Sequence, residues 1–309
     1  MKYIDELLEK HPIRKKAPEK EAFLAWAKEK CQALGYACRE DCHPKKNNTR
    51  NLIAGDVETA QIIFTAHYDT PSRSLFPNMI FPKNMLFTLL AQMPLIGMML
   101  LPALGTGLLL EKWTGDTRFY MLGFLVVYFG LFFLLLRGPA NAHNVNDNSS
   151  GTAALFQIME MLPEEERKKA AFIFFDNEEK GKVGSRAFAK AHPEIKEKGL
   201  IFNMDCIGDG NHILIVAPKR ADKALLDMLS DAFRDEGDFR VVHCSARNTN
   251  YNSDQKSFKN GAGAAAFHRN RLGYYLPRIH TVRDTICHQE NLDYICKGAM
   301  ALVRALPLQ

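Results

Sequence analysis

Residues 170–181 read AAFIFFDNEEKG, and this stretch decides how the rest of the chain is interpreted. Its first six residues are all apolar, which predicts a strand that is buried on both faces of a sheet. Glu178 and Glu179 follow that strand directly. Because neighbouring side chains of an extended segment diverge, one glutamate can bind a cation while the other acts as a general base towards water. Taken alone, the same residues also fit a solvated acidic loop.

Strands and helices alternate on both sides of this stretch. Strands are predicted at 51–54, 61–66, 200–203 and 212–216, and helices at 20–35, 151–161, 185–191 and 221–233. Such alternation predicts an α/β fold with a mostly parallel or mixed central sheet and helices on both faces. Ligands of such sheets bind beyond the carboxyl ends of the strands, so we expect the functional residues directly after the strands.

One region departs from this soluble pattern. Residues 86–110 and 119–136 contain no charged side chain, and only a short polar loop separates them. As helices they would span roughly 37 and 27 Å, against about 30 Å for the hydrocarbon core of a bilayer. We therefore predict a two-helix transmembrane hairpin, 84–137, inserted into a single catalytic domain that is formed by 1–83 and 138–309. A helical pair buried in a larger core is the alternative.

The charge distribution argues against a nucleic-acid partner. The net charge of +5 is small against 40 basic and 35 acidic residues, and no basic block is long. We interpret the short run Arg14-Lys15-Lys16 as a solvated helix flank. None of the seven cysteines forms a CxxC pair, so the sequence signals neither a cysteine zinc site nor a redox motif, and free thiols in a reducing compartment are expected.

The N-terminal segment predicts the orientation of the chain. Residues 1–16 lack the apolar core of a secretory signal. We therefore expect a membrane protein with two spanning helices whose catalytic domain faces the cytoplasm. The sequence leaves the oligomeric state open.

Polar residues with metal-binding chemistry follow the predicted strands. His67 and Asp69 point the same way after one strand, so one can ligate a metal while the other orients the imidazole ring. Asp147 opens a helix, where an ordinary N-cap is the simpler interpretation. Asp205 ends another strand, and His280 lies in a loop. Combined with one of the paired glutamates, these histidines and carboxylates suit divalent metals, zinc first.

The ordered motifs of the chain resemble those of peptidase family M28, the co-catalytic zinc aminopeptidases and their relatives. The motifs are AHYDT, NDNSSG, FFDNEEKG followed by VGSRAF, NMD, NSDQKSFKNGA, and HTVRDT followed by ENLDYI. The resemblance covers essentially the whole chain outside the hairpin. It implies two zinc ions, with the metal ligands His67, Asp147, Glu179, Asp205 and His280.

The resemblance also implies how the other site residues act. Asp147 would bridge both zinc ions, and the peptide bond that follows it would be cis. Glu178 would be the general base. Asp69 and Asp254 would support the site.

Three features depart from the family pattern. Gln255 stands where many members have histidine, and Lys182 stands where leucine is usual. Neither residue is an implied metal ligand, so these changes concern the lining of the pocket. The hairpin is the large departure, because soluble members bridge the same gap with a short loop.

The resemblance and the hairpin together predict a membrane-anchored, zinc-dependent hydrolase of amide bonds. We expect an aminopeptidase acting on peptides or on apolar or acylated amino acids, with Tyr274 or Tyr275 as a donor to the oxyanion. The alternative on the same fold is a glutaminyl-cyclase-like transferase, which typically uses one zinc ion. A non-catalytic membrane scaffold is less consistent with a complete set of ligands.

The position of the hairpin predicts where the active site opens. About ten residues join the second helix to Asp147, and at roughly 3.3 Å per extended residue this tether keeps the metals within about 35 Å of the membrane. We therefore expect the ligand-bearing end of the sheet to face the bilayer and to accept apolar or membrane-associated substrates. The alternative is a plain anchor with a pocket that opens sideways to soluble peptides.

Overall fold

The computed structural model describes residues 2–74 and 78–307. Its strands are β1 (Cys38–His43), β2 (Thr49–Ala54), β3 (Ile62–His67), β4 (Ala170–Phe175), β5 (Leu200–Met204), β6 (His212–Ala217), β7 (Arg240–Ser245), β8 (Asn260–Asn270) and β9 (Gly273–Tyr275). Its α-helices are α1 (Lys2–Lys10), α2 (Ala17–Ala33), α3 (Met85–Ala91), α4 (Met93–Thr114), α5 (Thr117–Arg137), α6 (Gly151–Met161), α7 (Val183–Ala191), α8 (Pro193–Lys198), α9 (Lys223–Ala232) and α10 (Gln289–Ala305).

The strands form one mixed sheet in the order β1-β2-β4-β3-β5-β8-β6-β7, with β9 paired to β8. The central strands β4, β3, β5 and β8 are parallel neighbours. Towards the edges, β2 runs antiparallel to both β1 and β4, and β6 runs antiparallel to β8. The predicted α/β fold with a mixed central sheet is confirmed, and its parallel strands are the ones that precede the predicted ligands.

Helices cover both faces of the sheet, as predicted. On one face, α1, α2, α6 and α10 bury the larger apolar core, in which Phe23 stacks on Tyr68 with 4.6 Å between ring centroids. On the other face, α7 and α8 pack against the sheet, and Phe188 meets Phe175 edge-on at 5.9 Å. Every residue of β4 is therefore buried, which explains its uninterrupted apolar sequence.

β1 is the clearest element that the sequence does not predict. Its residues, CREDCH, are polar and at most partly buried, and it pairs with β2 at the edge of the sheet. A strand at this position has one neighbour and a solvated surface, so it needs no apolar run. β9 escapes prediction for a different reason, since its three residues are too few to show a period.

The apolar segments form a helical hairpin whose surface is exposed. α3 ends at Ala91, α4 begins at Met93 directly before Pro94, and α5 leads back to Arg137. Both spans are long and apolar enough to cross a membrane, and only 17% and 6% of their most apolar windows are buried. A helical pair buried in a larger core is therefore wrong, because most of the apolar surface faces outward.

The turn before α6 is packed against the end of β5. The N–H of Gly151 donates to Oδ1 of Asn148 at 3.0 Å, and the Asn148 side chain donates to the carbonyl of Met204 at 2.9 Å. A Cβ at Gly151 would lie 2.4 Å from that same carbonyl oxygen. Only glycine therefore allows the turn to approach the sheet this closely.

The peptide bond between Asp147 and Asn148 is cis, as the resemblance implies.

We predict that Gly151→Ala lowers the free energy of unfolding by about 1–3 kcal/mol, the usual effect of overpacking. The nearest neighbour of the added methyl group is a backbone oxygen, so no rotamer change relieves the contact. Chemical denaturation of the detergent-solubilised protein measures this effect. Gly130→Ala in α5 is the matched control, because a Cβ there meets no atom of the described residues within 4 Å. Equal effects of both substitutions would contradict the close approach.

Candidate metal centre

Four of the predicted site residues follow neighbouring parallel strands. His67 is the last residue of β3, Glu178 and Glu179 lie in the turn after β4, and Asp205 directly follows β5. Because β4, β3 and β5 are adjacent and parallel, their carboxyl ends bring the four side chains to one edge of the sheet.

Asp147 lies at the centre of the cluster, between two histidines. Its Oδ1 is 3.3 Å from Nε2 of His67, and its Oδ2 is 3.1 Å from Nε2 of His280. Oδ1 of Asp205 lies 3.6 Å from Nε2 of His67, and Oε2 of Glu179 lies 3.4 Å from Nε2 of His280. The two oxygens of one buried carboxylate thus face two separate groups of ligand atoms.

Each group has the composition of a divalent metal site. His67, Asp147 and Asp205 offer ligand atoms within 4.8 Å of one another, and so do Asp147, Glu179 and His280. Within the described residues, the buried Oε1 of Glu179 and Oδ1 of Asp205 accept no hydrogen bond. Buried oxygens without a partner are unfavourable unless a cation takes their lone pairs. The arrangement therefore fits two metal ions.

Glu178 belongs to a further grouping, with His67 and Glu179. Burial raises the pKa of Glu178 well above its ordinary value, and the charge of Asp254 adds to this effect. A carboxyl group of raised pKa beside a set of ligands holds a proton more readily than an exposed glutamate does.

Asp69 holds the turn that carries both glutamates. Its Oδ1 accepts a hydrogen bond from the backbone N–H of Glu178 at 2.9 Å, and its Oδ2 accepts one from the N–H of Glu179 at 3.3 Å. The same Oδ1 lies 3.5 Å from Nδ1 of His67. The backbone carbonyl of Asp69 is hydrogen-bonded to that Nδ1 at 3.2 Å, so Asp69 orients the imidazole ring through its backbone and the neighbouring turn through its carboxylate.

Asp284 supports Asp147 in the same way, although the sequence reasoning did not identify it. Its two carboxylate oxygens accept the backbone N–H groups of Asn146 at 2.8 Å and of Asp147 at 3.0 Å. Burial raises the pKa of Asp284 to about 7, and the charge of Asp147 adds to this effect. A signal was present, since Asp284 lies in the HTVRDT motif, four residues after His280.

The family of the chain follows from a sequence comparison. The profile of peptidase family M28 matches residues 135–302, which is more than half of the chain. The chain belongs to peptidase family M28. A search of curated protein sequences gives no match.

Several solved structures share the fold of this M28 chain. A Zn-dependent exopeptidase from Parabacteroides distasonis has a TM-score of 0.62 at 14% identity, covering 98% of this chain and 95% of the exopeptidase. A glutaminyl cyclase from Porphyromonas gingivalis has a TM-score of 0.57 at 13% identity, with 98% and 95% covered. The LapA aminopeptidase from Legionella pneumophila has a TM-score of 0.57 at 15% identity, with 100% and 72% covered. The M28 chain thus has the zinc aminopeptidase fold.

Arg14 is buried beside the cluster, so its interpretation as part of a solvated helix flank is wrong. Its side chain is 0% exposed, and its Nε donates to the carbonyl of Tyr68, the residue after His67. Its Nη2 donates to Oδ1 of Asn144 at 3.0 Å and to Oγ of Ser149 at 2.9 Å, on either side of the central aspartate. One guanidinium group therefore joins two ligand-bearing loops. A run of three basic residues usually indicates a solvated surface, so the sequence did not indicate that Arg14 is buried.

The crowded carboxylates of the M28 centre perturb one another. Burial raises the pKa of Glu179 to about 8, and the charge of Asp147 adds to this effect. Burial lowers the pKa of His280, but the charges of Glu179 and Asp147 outweigh it and raise that pKa to about 9. The acidic groups therefore compete for protons, and bound cations would relieve their repulsion.

The tyrosine beside the cluster is Tyr251, which the sequence reasoning missed. Its buried hydroxyl group donates to the backbone carbonyl of Asp205 at 3.2 Å. Tyr274 instead packs against lysine and arginine cations, and Tyr275 packs against a phenyl ring and an imidazole ring. The contacts of these two tyrosines therefore give no support to the expected oxyanion donor.

Asp254 and Gln255 reach the site from the loop before β8. Both side chains are buried, and burial raises the pKa of Asp254 to about 7. Oε1 of Gln255 accepts a hydrogen bond from Nδ2 of Asn203 at 3.2 Å. Gln255 thus packs behind the metal-ligand groups. This position agrees with the resemblance, which does not make Gln255 a metal ligand.

We predict that Arg14→Met lowers the free energy of unfolding by roughly 2–5 kcal/mol and reduces bound zinc, because buried acceptors of two ligand loops lose their common donor. Arg14→Lys should have an intermediate effect, since it keeps the charge without the planar fork. Urea denaturation and elemental analysis of the purified protein measure both effects. Arg186→Met, at an exposed position of α7, is the control. Equal stability and zinc content of the two methionine variants would refute this role of Arg14.

Proposed function

We propose that this chain is a membrane-anchored, zinc-dependent hydrolase of amide bonds, of the aminopeptidase type, acting on peptides or on apolar or acylated amino acids. The observation that carries the proposal is the buried carboxylate of Asp147, whose two oxygens face separate groups of ligand atoms. Two zinc ions would be held around Asp147, one with His67 and Asp205 and the other with Glu179 and His280. Imidazole nitrogens and carboxylate oxygens are donors that zinc commonly uses.

The residues of the chain have distinct parts in the proposed reaction. Bound in these groups, zinc would lower the pKa of water and polarise the carbonyl group of the substrate. Glu178 takes a proton from the attacking water and gives it to the departing amine nitrogen, for which its raised pKa suits it. Asp69 holds the backbone N–H of Glu178 and faces the ring of His67, so the base and a ligand keep their relative position.

A glutaminyl-cyclase-like transferase is the second candidate, because structures of such enzymes share the fold. The presence of two groups of ligand atoms around Asp147 favours hydrolysis, since the cyclase reaction is expected with one zinc ion. The VGSRAF sequence after the paired glutamates also resembles the peptidases more closely. Zinc stoichiometry and turnover of a peptide with N-terminal glutamine separate the two candidates.

The pocket at the metal centre supports an active site that opens towards the membrane. This pocket has a volume of about 240 Å³ and is lined by Glu179 and His280, and also by Leu95 and Leu135. Leu95 lies in the first turn of α4 and Leu135 in the last turn of α5, so both hairpin helices meet the pocket at their base. Apolar substrates in the bilayer would then reach the metals along the hairpin.

We predict that Glu178→Gln keeps its zinc but lowers kcat by about 10²–10⁴-fold, because the amide cannot accept a proton. Asp147→Ala should lose zinc, since both groups of ligand atoms share that carboxylate. Zinc content and hydrolysis of leucine and acyl-leucine amides by the full-length protein measure both effects. Glu165→Gln, at an exposed position, is the matched control. Near-normal turnover by Glu178→Gln would remove it as the base, and full zinc retention by Asp147→Ala would remove the bridge.

We predict that the catalytic domain lies on the cytoplasmic side and that the tip of the hairpin crosses the membrane. The connection between α4 and α5 is short, which makes it the part that is easily translocated. The exposed Cys42 should therefore resist an impermeant maleimide in intact cells and react after permeabilisation. Thr117→Cys, at the exposed tip and in a Cys42→Ser background, should react in intact cells. The reverse labelling pattern would show the opposite orientation.

A further inference from the structure

The pocket at the metal centre is lined by lysines as well as by ligands and hairpin residues. The lysines are Lys15, Lys20 and Lys180. Lys20 has an ordinary structural explanation, because its ammonium group pairs with the buried carboxylate of Asp176 and donates to Oδ1 of Asn177 at 2.8 Å. The charge of Lys20 is therefore already compensated within the fold.

Lys15 and Lys180 differ from Lys20, because carboxylates attract them only from a distance. Nζ of Lys15 donates to Oγ of Ser72 and, at 2.9 Å, to the carbonyl of Gly138, both of which are uncharged groups. Within residues 2–74 and 78–307, neither lysine forms an ion pair with a carboxylate, and the charge of Lys180 acts unfavourably on Lys15. The carboxylate that attracts Lys15 most strongly is Glu179, which the proposed function assigns to zinc. Asp69 and Glu179 also line the pocket and attract Lys15, and Asp69 attracts Lys180, but neither of these carboxylates pairs directly with either lysine within the described residues. Both ammonium groups can therefore pair with an anionic group of a substrate.

We propose that Lys15 and Lys180 bind the carboxylate of an acylated amino acid, whose amide group lies at the metal centre and whose acyl chain lies along Leu95 and Leu135. This inference rests on the proposed function and names its substrate class. The pocket lining contains a group for each part of such a molecule: the proposed zinc ligands Glu179 and His280, the two lysines, and the leucines at the base of the hairpin.

The charge pattern favours this substrate over a peptide with a free N-terminus. Such a peptide carries an ammonium group next to the bond that is cut, and the two lysines would repel it. In an acylated amino acid, that ammonium group is absent, and the carboxylate carbon is two bonds from the amide nitrogen. The carboxylate therefore reaches side chains that line the same small pocket as the metal ligands.

The size of the pocket agrees with this assignment. Its volume of about 240 Å³ lies below the roughly 300–1,000 Å³ of pockets that enclose drug-sized ligands. It accommodates the amino-acid head group and the start of an acyl chain. The rest of the chain would lie against the exposed apolar surface of α4 and α5.

The reaction is hydrolysis and needs no further reactant than water. The bond between the acyl carbon and the amide nitrogen breaks, and a bond forms between that carbon and the oxygen of water. One proton of the water goes to the nitrogen by way of Glu178. The products are a fatty acid and a free amino acid.

The test measures the hydrolysis of three substrates by the full-length zinc-loaded protein in neutral detergent. The substrates are N-dodecanoyl-leucine, its methyl ester, which lacks the carboxylate, and leucine p-nitroanilide, which has a free amine. We expect N-dodecanoyl-leucine to be the preferred substrate. The double variant Lys15→Gln/Lys180→Gln should raise its KM about tenfold or more, as expected for loss of charged hydrogen bonds, and leave the KM of the ester unchanged.

Two controls separate charge recognition from damage to the fold. Lys190→Gln removes a positive charge at an exposed position of α7, outside the pocket, and should leave the KM of every substrate unchanged. Lys15→Arg/Lys180→Arg keeps both charges and should retain the preference for the acid over the ester. If the arginine variant loses that preference as fully as the glutamine variant, recognition of the carboxylate by charge is refuted.

Binding measurements distinguish failure of this inference from failure of the proposed function. Calorimetric titration of N-dodecanoyl-leucine into the full-length Glu178→Gln protein gives its affinity without turnover. If N-dodecanoyl-leucine binds in a way that depends on the two lysines, but the unmodified protein hydrolyses no substrate, the carboxylate site stands and the proposed hydrolase activity is overturned. If the ester or the anilide is hydrolysed and the lysine substitutions do not change the KM of the acid, the proposed hydrolase activity stands and the proposed carboxylate site is overturned. If the acid is neither bound nor hydrolysed, and the ester and the anilide are not hydrolysed either, both proposals are overturned.

Discussion

The structure depends on one buried negative charge, the carboxylate of Asp147. Burying a carboxylate is unfavourable by several kcal/mol unless opposite charges or hydrogen-bond donors meet its oxygens. Here each oxygen faces a different histidine, His67 at 3.3 Å and His280 at 3.1 Å. These three residues come from distant parts of the sequence, so only the folded chain brings them together. The order of the parallel strands makes this possible, because the carboxyl ends of β4, β3 and β5 lie side by side at one edge of the sheet.

The loops around that charge are held by other buried charged groups. Asp69 and Asp284 each accept hydrogen bonds from two consecutive backbone N–H groups of a ligand-bearing turn. Arg14 joins the loop after β3 to the loop before α6 from the opposite side. A site built on loops keeps its geometry only when the backbone beneath it is fixed. In this chain, hydrogen bonds to charged side chains supply that rigidity where no strand or helix can.

The hairpin is joined to the chemistry by its place in the chain. It is inserted between β3, which ends at His67, and α6, which begins four residues after Asp147. Its base must therefore lie near the metal-ligand groups, and Leu95 and Leu135 accordingly line their pocket. The polar centre and the apolar helices are thus neighbours as a consequence of connectivity. The inserted segment adds two exposed apolar helices to a fold that otherwise resembles a Zn-dependent exopeptidase and an aminopeptidase.

The sequence by itself determined the α/β class and the two long apolar helices, because apolar runs mark β3, β4, β5, α4 and α5. The expected ligand set depended on the resemblance to peptidase family M28, since a single motif such as the turn at Asp147 also fits an ordinary N-cap. The sequence did not reveal the edge strand β1, whose solvated side chains show no apolar run. Only the tertiary structure decided the roles of Arg14, Asp284 and Tyr251, since each acts through partners that are remote in sequence and no local pattern marks burial of a polar side chain. It also decided that Lys15 and Lys180 face the same pocket, because spacing along the chain says nothing about where two loops meet.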